Sequence, residues 1–340
     1  MNILLYANVT VLTLILLGCK VDPSITINQT CMESHLINYF PSEDPSYNCC
    51  NCPVDWQEVY SGGIPFDYFY PCLNPNNNDQ MVYYRGDNSQ IWFSGFQIYR
   101  IDFCSNETIL LVDNAFYGID WSKSGWIFYT AVDQNIYKVK DNGDSLTQIT
   151  FTTGGYNRYP KTSPSGNKVM YQSEVEGITS LLILDLLSGT VDTIETTPAI
   201  FTWNWLDNDR IFYTKRENNT QGLFIFNVYT RQEKKLHDIS LGGGSLNSKV
   251  ISAIPLLNEN SILWCSSKVI GKTNLSTGNY SIILKTFKQE LLLGISVSND
   301  ESIFLLNKRT MHQIDDCYID SNYDFFIVDK NGNKQKKLVL

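Results

Sequence analysis

The chain has 340 residues, a net charge of −9 and an isoelectric point near 4.9. That acidity argues against a nucleic-acid partner, whose footprint is basic. Aromatic residues make up 13% of the chain, with 20 Tyr and 17 Phe, a usage that favours the half-buried pleated surfaces of strands.

The first element is an apolar run from Ile3 to Leu17, closed by Leu16-Leu17-Gly18-Cys19. A membrane-spanning helix needs roughly 20 apolar residues, so the run reads as a signal and not as a span. No Lys or Arg precedes Cys19, which leaves a plain secretory signal as the alternative. Leucine at −3 and a small residue just before the cysteine resemble the lipobox of bacterial lipoproteins. The resemblance implies a signal over residues 1–18, cleavage ahead of Cys19, and acyl chains (palmitate among them) on that cysteine. The mature chain would then be lipid-anchored in the cell envelope, at the outer membrane and facing the periplasm or the surface.

Residues 19–58 read as an irregular tether rich in Asn, Ser, Pro and Cys. Eight cysteines remain beside Cys19: Cys31, Cys49, Cys50, Cys52, Cys72, Cys104, Cys265 and Cys317. An even number in an exported chain permits disulfides. Cys49-Cys50 followed by Cys52 lacks the two-residue gap of a zinc knuckle, and no second Cys or His pair answers it. Cys31, Cys49, Cys50 and Cys52 are therefore expected in disulfides, with no metal site. Cys265 sits in an apolar run and reads as a small buried hydrophobe.

From residue 59 to the end one pattern recurs: a turn cluster, a hydrophobic strand, a polar loop, a second strand often ending in Asp, and a Gly/Asn turn. Trp121 to Thr130 and Trp205 to Thr214 share a leading Trp and a closing Ile-Phe-Tyr-Thr. Equivalent anchors fall at Leu73, Trp121, Thr162, Trp205, Leu256 and Val297, between 41 and 51 residues apart. The longer units hold loop insertions around Asp87 to Gly95 and Leu241 to Ser245. Five further strands align at residues 97–102, 135–140, 181–185, 223–227 and 325–329. Turns such as Asp141-Asn142-Gly143 suit positive φ and join antiparallel strands. A unit of about 40–45 residues with four short strands is the signature of a propeller blade. The prediction is an all-β, six-bladed β-propeller with four-stranded antiparallel blades over residues 59–340. Either residues 334–340 or Trp56 to Tyr60 would supply the outer strand that completes the last blade.

Tyr159-Pro160-Lys161-Thr162-Ser163-Pro164-Ser165-Gly166-Asn167-Lys168-Val169-Met170-Tyr171 is similar to the PD40, or TolB-like, propeller repeat, Pro-x-x-Ser-Pro-Asp-Gly-x-x-Ile-x-Phe. With the lipobox, the whole resembles the TolB-like propeller lipoproteins of Bacteroidetes-type bacteria. The Ser-Pro-Asp-Gly turn is degraded elsewhere, to Ser122-Lys123-Ser124-Gly125 and Asp207-Asn208-Asp209, and the α/β domain of the protein that gives the family its name has no counterpart here.

Chemistry is sparse. No Gly-x-Ser-x-Gly elbow is present, and Gly242-Gly243-Gly244-Ser245 lacks the ending of a phosphate loop. His35, His237 and His312 fall in different units and read as surface or loop residues. Asp120, Asp207, Asp315 and Asp316 are the carboxylates to inspect, although Asp at strand ends more often holds a turn. Trp121, Trp203 and Trp205, with Asp120 and Asp207, form the candidate ligand-binding face, while core wedges between blades are the commoner fate of such Trp. No catalytic residue, cofactor or metal is expected. The expected role is a membrane-tethered envelope module that recognises a protein or glycan on a propeller face. The alternative is a lyase or glycosidase using carboxylates at the channel mouth.

Overall fold

The computed structural model describes residues 36–38, 67–86, 95–196, 200–217, 220–239, 250–286, 290–313, 319–333 and 335–338, and every regular element among them is a strand. After β1 (Leu36–Asn38), blade 1 comprises β2 (Asp67–Asn74), β3 (Asn77–Gly86), β4 (Phe96–Asp102) and the first half of β5 (Glu107–Trp121). The second half of β5 opens blade 2, which continues with β6 (Trp126–Ala131), β7 (Ile136–Lys140) and β8 (Thr147–Gln148). One strand therefore serves as the outer edge of one blade and the inner edge of the next. The pair consequently forms a single seven-stranded sheet.

Blade 3 is β9 (Gly155–Thr162), β10 (Lys168–Val175), β11 (Ile178–Asp185) and β12 (Val191–Thr196). Blade 4 is β13 (Ile200–Trp205), β14 (Arg210–Glu217), β15 (Thr220–Asn227) and β16 (Glu233–Ile239). Blade 5 is β17 (Val250–Leu256), β18 (Ser261–Ser266), β19 (Val269–Asn274) and β20 (Tyr280–Lys285). Blade 6 is β21 (Glu290–Val297), β22 (Ile303–Gln313), β23 (Ile319–Asp329) and β24 (Lys336–Leu338), and β1 adds a fifth strand outside β24. All ladders are antiparallel.

The predicted anchors are the closing residues of the inner strands. Trp121, Thr162, Trp205, Leu256 and Val297 each end one, and Leu73 stands one place before the end of β2. The inner strands β2, β5, β9, β13, β17 and β21 touch in that order, and β21 returns to β2. Each seam holds its own apolar core. Phe128 and Ile136 of blade 2, for example, meet Val169 and Tyr171 of blade 3. The seam that closes the ring packs Leu73, Met81, Tyr83 and Phe103 of blade 1 on Ile303, Phe325 and Leu338 of blade 6. Second strands are covered on both faces by neighbouring blades, which is why runs such as Ile262-Leu263-Trp264-Cys265 are apolar throughout and wholly buried.

Turn chemistry repeats with the blades. Asp102, Asp185, Asn227, Asn274 and Asp329 end the third strands, and each side-chain oxygen accepts backbone N–H bonds from the turn that follows. At the other kind of turn, the hydroxyls of Ser122, Ser163 and Ser298 accept the N–H of Trp126, Lys168 and Ile303, each at 3.1 Å. This is the physical content of the serine in the repeat motif.

Two expectations are refined. The last blade does have its own outer strand in β24, but part of the stretch read as tether, Leu36–Asn38, pairs outside it. Trp56 to Tyr60 lie outside the described residues.

Candidate functional site

Inner strands line the middle of a propeller, and here side chains next to the anchors tie successive blades together. The Asp120 carboxylate on β5 accepts the Thr162 N–H at 2.8 Å, the Thr162 hydroxyl at 2.6 Å and the Lys161 ammonium at 3.2 Å, all from β9. Asn204 Nδ2 on β13 reaches the Ala253 carbonyl of β17 at 3.4 Å, and Ser296 on β21 accepts the Leu73 N–H of β2 at 3.1 Å. The Asp120 and Lys161 side chains are 16% and 29% exposed, so the ion pair meets solvent along one edge.

Burial opposes the Lys161 charge, but Asp120 and Cys72 outweigh it and the pKa rises. Burial, with the Asp120 carboxylate adding to it, pushes the Cys72 thiol up to about 12. Cys72 is thus a neutral thiol at physiological pH, without the depressed pKa of a reactive one. Backbone strain gathers at the same wall. Tyr70, Gly118 and Tyr159, three places before the anchors of blades 1 to 3, have φ of +48°, +64° and +56°. Each lies at a break in strand register, as β-bulges do. A Cβ at Gly118 would stand 2.5 Å from the Tyr159 Cα, so the two inner strands approach too closely for any side chain.

The other predicted site residues do not join this wall. Trp121, Trp203 and Trp205 are 4%, 5% and 2% exposed and sit in the seam cores. Asp207 lies in the turn between β13 and β14, where it accepts the N–H groups of Asp209 and Arg210 and pairs with the Arg210 guanidinium at 2.7 Å. Burial pushes its pKa up, but these Arg210 and backbone bonds outweigh that and hold it below the usual carboxylate value. His237 belongs to β16, half-buried, with its ring stacked on Tyr280 at 4.9 Å. His312 falls on β22. Cys19, Cys31, Cys49, Cys50, Cys52, His35, Asp315 and Asp316 lie outside the described residues. Among the described residues no three His, Cys, Asp or Glu side chains gather as metal ligands.

Strand order gives the ring two unlike faces. One carries the turns 75–76, 122–125, 163–167, 206–209, 257–260 and 298–302 together with those that follow the third strands, all short. The opposite face carries the connections across 87–95, 240–249 and 314–318, which include both insertions visible in the sequence.

On that second face a buried polar network was not legible in the sequence. Asn135 Oδ1 accepts the Thr150 hydroxyl, the Thr152 N–H and the Asn157 amide at 3.1, 2.9 and 3.3 Å, and the Asn157 amide also reaches Thr152 Oγ1 at 2.9 Å. The network pins the connection between β8 and β9, where Phe151 projects with 75% of its surface exposed.

No family model matches the chain, and no curated protein matches it. Solved structures do. TolB from Acinetobacter baumannii aligns over 80% of this chain and 63% of its own, with a TM-score of 0.56 and 14% identity. The chain has the TolB-like β-propeller fold. A TolB-type protein from Agrobacterium tumefaciens aligns over 76% of this chain and 90% of its own, with a TM-score of 0.53 and 11% identity. An oligogalacturonate lyase in complex with manganese aligns over 84% of both chains, with a TM-score of 0.55 and 9% identity. Relatives at this distance share the TolB-like propeller fold while differing in chemistry, so activity rests on the site.

Proposed function

We propose that this TolB-like propeller is a non-catalytic binding or scaffolding module of the cell envelope. Lipid on Cys19 holds it at a membrane, and the face opposite the short turns recognises a protein or glycan. The observation that carries the reading is the asymmetry of the two faces: long connections and a pinned, exposed Phe151 on one, close repeated turns on the other. Rigid blades that position variable loops suit recognition, and aromatic side chains, Phe among them, are enriched at the cores of interfaces. The lyase alternative draws less support. Among the described inner-strand side chains, Asp120 and Glu290 each hold a lysine ammonium, whereas glycoside hydrolysis uses a pair of carboxyl groups facing the substrate.

The test places a photo-crosslinking residue at 151 or at Leu187, which is 82% exposed on the opposite face, in lipidated protein from native envelopes. A stoichiometric envelope partner captured from 151 and not from 187 supports the reading. Equal capture from both, or turnover of a glycan panel by the purified chain, would reverse it. Lipidation is tested separately: an alkyne-palmitate label should tag the wild-type chain and be lost in Cys19→Ala.

A further inference from the structure

The residues one place before the six anchors stand at one level of the inner strands, just inside the short-turn face. In blade order they are Cys72, Asp120, Lys161, Asn204, Pro255 and Ser296. All but Pro255 carry a polar or ionisable group, although anchors beside them such as Leu73, Trp121, Trp205 and Leu256 are apolar core. The bonds at this level cross the seams, from Asp120 to β9, Asn204 to β17 and Ser296 to β2. Lys161 on blade 3 also feels Cys72 of blade 1, so its side chain reaches back along the inner wall past blade 2.

The axis has room beside this belt. Gly294 lies two places before Ser296 with unbroken register between them, so the two share one face of β21. Gly294 is buried, yet a Cβ built there would meet no atom within 4 Å. A close-packed interior would supply neighbours at that distance; an internal channel does not.

Hydrogen-bond accounting gives the belt a sign. Its acceptors are engaged: Asp120 Oδ2 takes the Thr162 N–H and hydroxyl, Asp120 Oδ1 takes Lys161, Asn204 Oδ1 takes the Trp205 N–H at 2.9 Å, and Ser296 Oγ takes the Leu73 N–H. Its donors are not. Toward the described residues the Lys161 ammonium gives one of its three N–H groups, to Asp120. The Asn204 amide gives one of its two, to the Ala253 carbonyl. The Ser296 hydroxyl accepts without donating. Asp120 offsets part of the Lys161 charge, so the belt presents surplus donors and a fractional positive charge. That combination matches a singly charged, acceptor-rich group and undercompensates a doubly charged one.

We propose that this belt binds the carboxylate of a small organic acid, admitted through the short-turn face, with Lys161 as its ion-pair partner and the Asn204 amide of the next blade as a second donor. The Ser296 hydroxyl, three blades round the ring from Lys161, is left for another acceptor of the same acid. The site lies at the opposite end of the axis from the face that carries Phe151, and it stands or falls independently of recognition there.

Acetate, the smallest probe with this chemistry, tests the proposal. Carbon-13-labelled acetate is titrated into the full chain at constant ionic strength in chloride, at roughly pH 6, well below the ordinary lysine value of 10.5, and its NMR linewidth is followed. The expected result is saturable broadening at millimolar acetate that uncharged acetamide does not compete away. Lys161→Met should weaken the affinity about tenfold. Asp120→Asn, which leaves the Lys161 charge without its counter-ion, should tighten it severalfold. That gain runs opposite to the effect of a damaged fold, and it decides the matter even if Lys161→Met does not fold. Broadening that never saturates, equal competition by acetamide, an unchanged affinity in Lys161→Met or a weakened one in Asp120→Asn would each overturn the assignment. Inorganic phosphate displacing acetate at a lower concentration than acetate itself requires would overturn the carboxylate class.

Discussion

The indole N–H of Trp205 donates to the backbone carbonyl of Lys161 across 3.0 Å, from the last residue of one inner strand to the inner strand of the preceding blade. The same lysine offers its ammonium to Asp120 on the blade before that. Lys161 therefore couples three successive blades, through its backbone on one side and its side chain on the other. Trp205→Phe should keep the ring in place and leave the carbonyl without its donor. The expected loss is about 1–3 kcal/mol, read as a lower urea midpoint with an unchanged far-ultraviolet spectrum.

Asp120→Ala removes acceptors from three donors on β9 at once. It should destabilise by about 1–3 kcal/mol, and Asp120→Asn should recover part of the loss because one amide oxygen still accepts the Thr162 N–H. Equal losses for both variants would mean that the carboxylate acts by charge alone.

Lys308 and Glu290 form an ion pair at 2.7 Å between β22 and β21, with side chains 0% and 2% exposed. Burial lowers the Lys308 pKa, and Glu290 opposes that shift. Removing one partner strands the other charge in the seam. Lys308→Met alone should cost about 3–5 kcal/mol, whereas Lys308→Met with Glu290→Leu should cost much less. A double-mutant cycle in urea decides, and an additive result would contradict the pairing.

His237 provides a pH dependence. Burial holds its pKa below the ordinary 6.5, against a smaller opposing influence from Asp238. In the neutral ring Nδ1–H faces the Asp238 carbonyl, and Nε2 accepts the Thr273 hydroxyl, which itself accepts the Trp264 indole N–H. The unfolded chain takes up the proton more readily. This contribution to stability is therefore complete above pH 6.5 and is lost as pH falls through the folded-state value. The urea midpoint should drop as pH falls below the ordinary histidine value of 6.5 in the wild type, and His237→Gln should flatten that part of the profile.

Gly271 answers Trp264. A Cβ at Gly271 would lie 2.2 Å from the Trp264 ring, which is fully buried between blades 4 and 5. Gly271→Ala should destabilise by about 1–3 kcal/mol through overpacking. Trp264→Phe in the same chain should relieve part of that cost, a coupling that a cycle of thermal midpoints would measure.

What could be read along the chain is what short-range chemistry encodes. The spacing of the anchors, the apolar second strands, the Asp and Asn that end third strands and the Ser of the repeat turn each act within a few residues. Together they define a blade wherever they occur. Ring order was implied by the number of units, but meetings between distant residues were not. Asp120 and Lys161 meet because inner strands of adjacent blades converge at the axis. Trp121, Trp203 and Trp205 become core because the next blade covers them, and Asp207 becomes a turn cap because its nearest donors are its own backbone and Arg210. The docking of β1 on β24 had no local signal at all. A three-residue edge strand has no periodicity to detect, and its partner is the outer edge of blade 6, which only the tertiary structure presents.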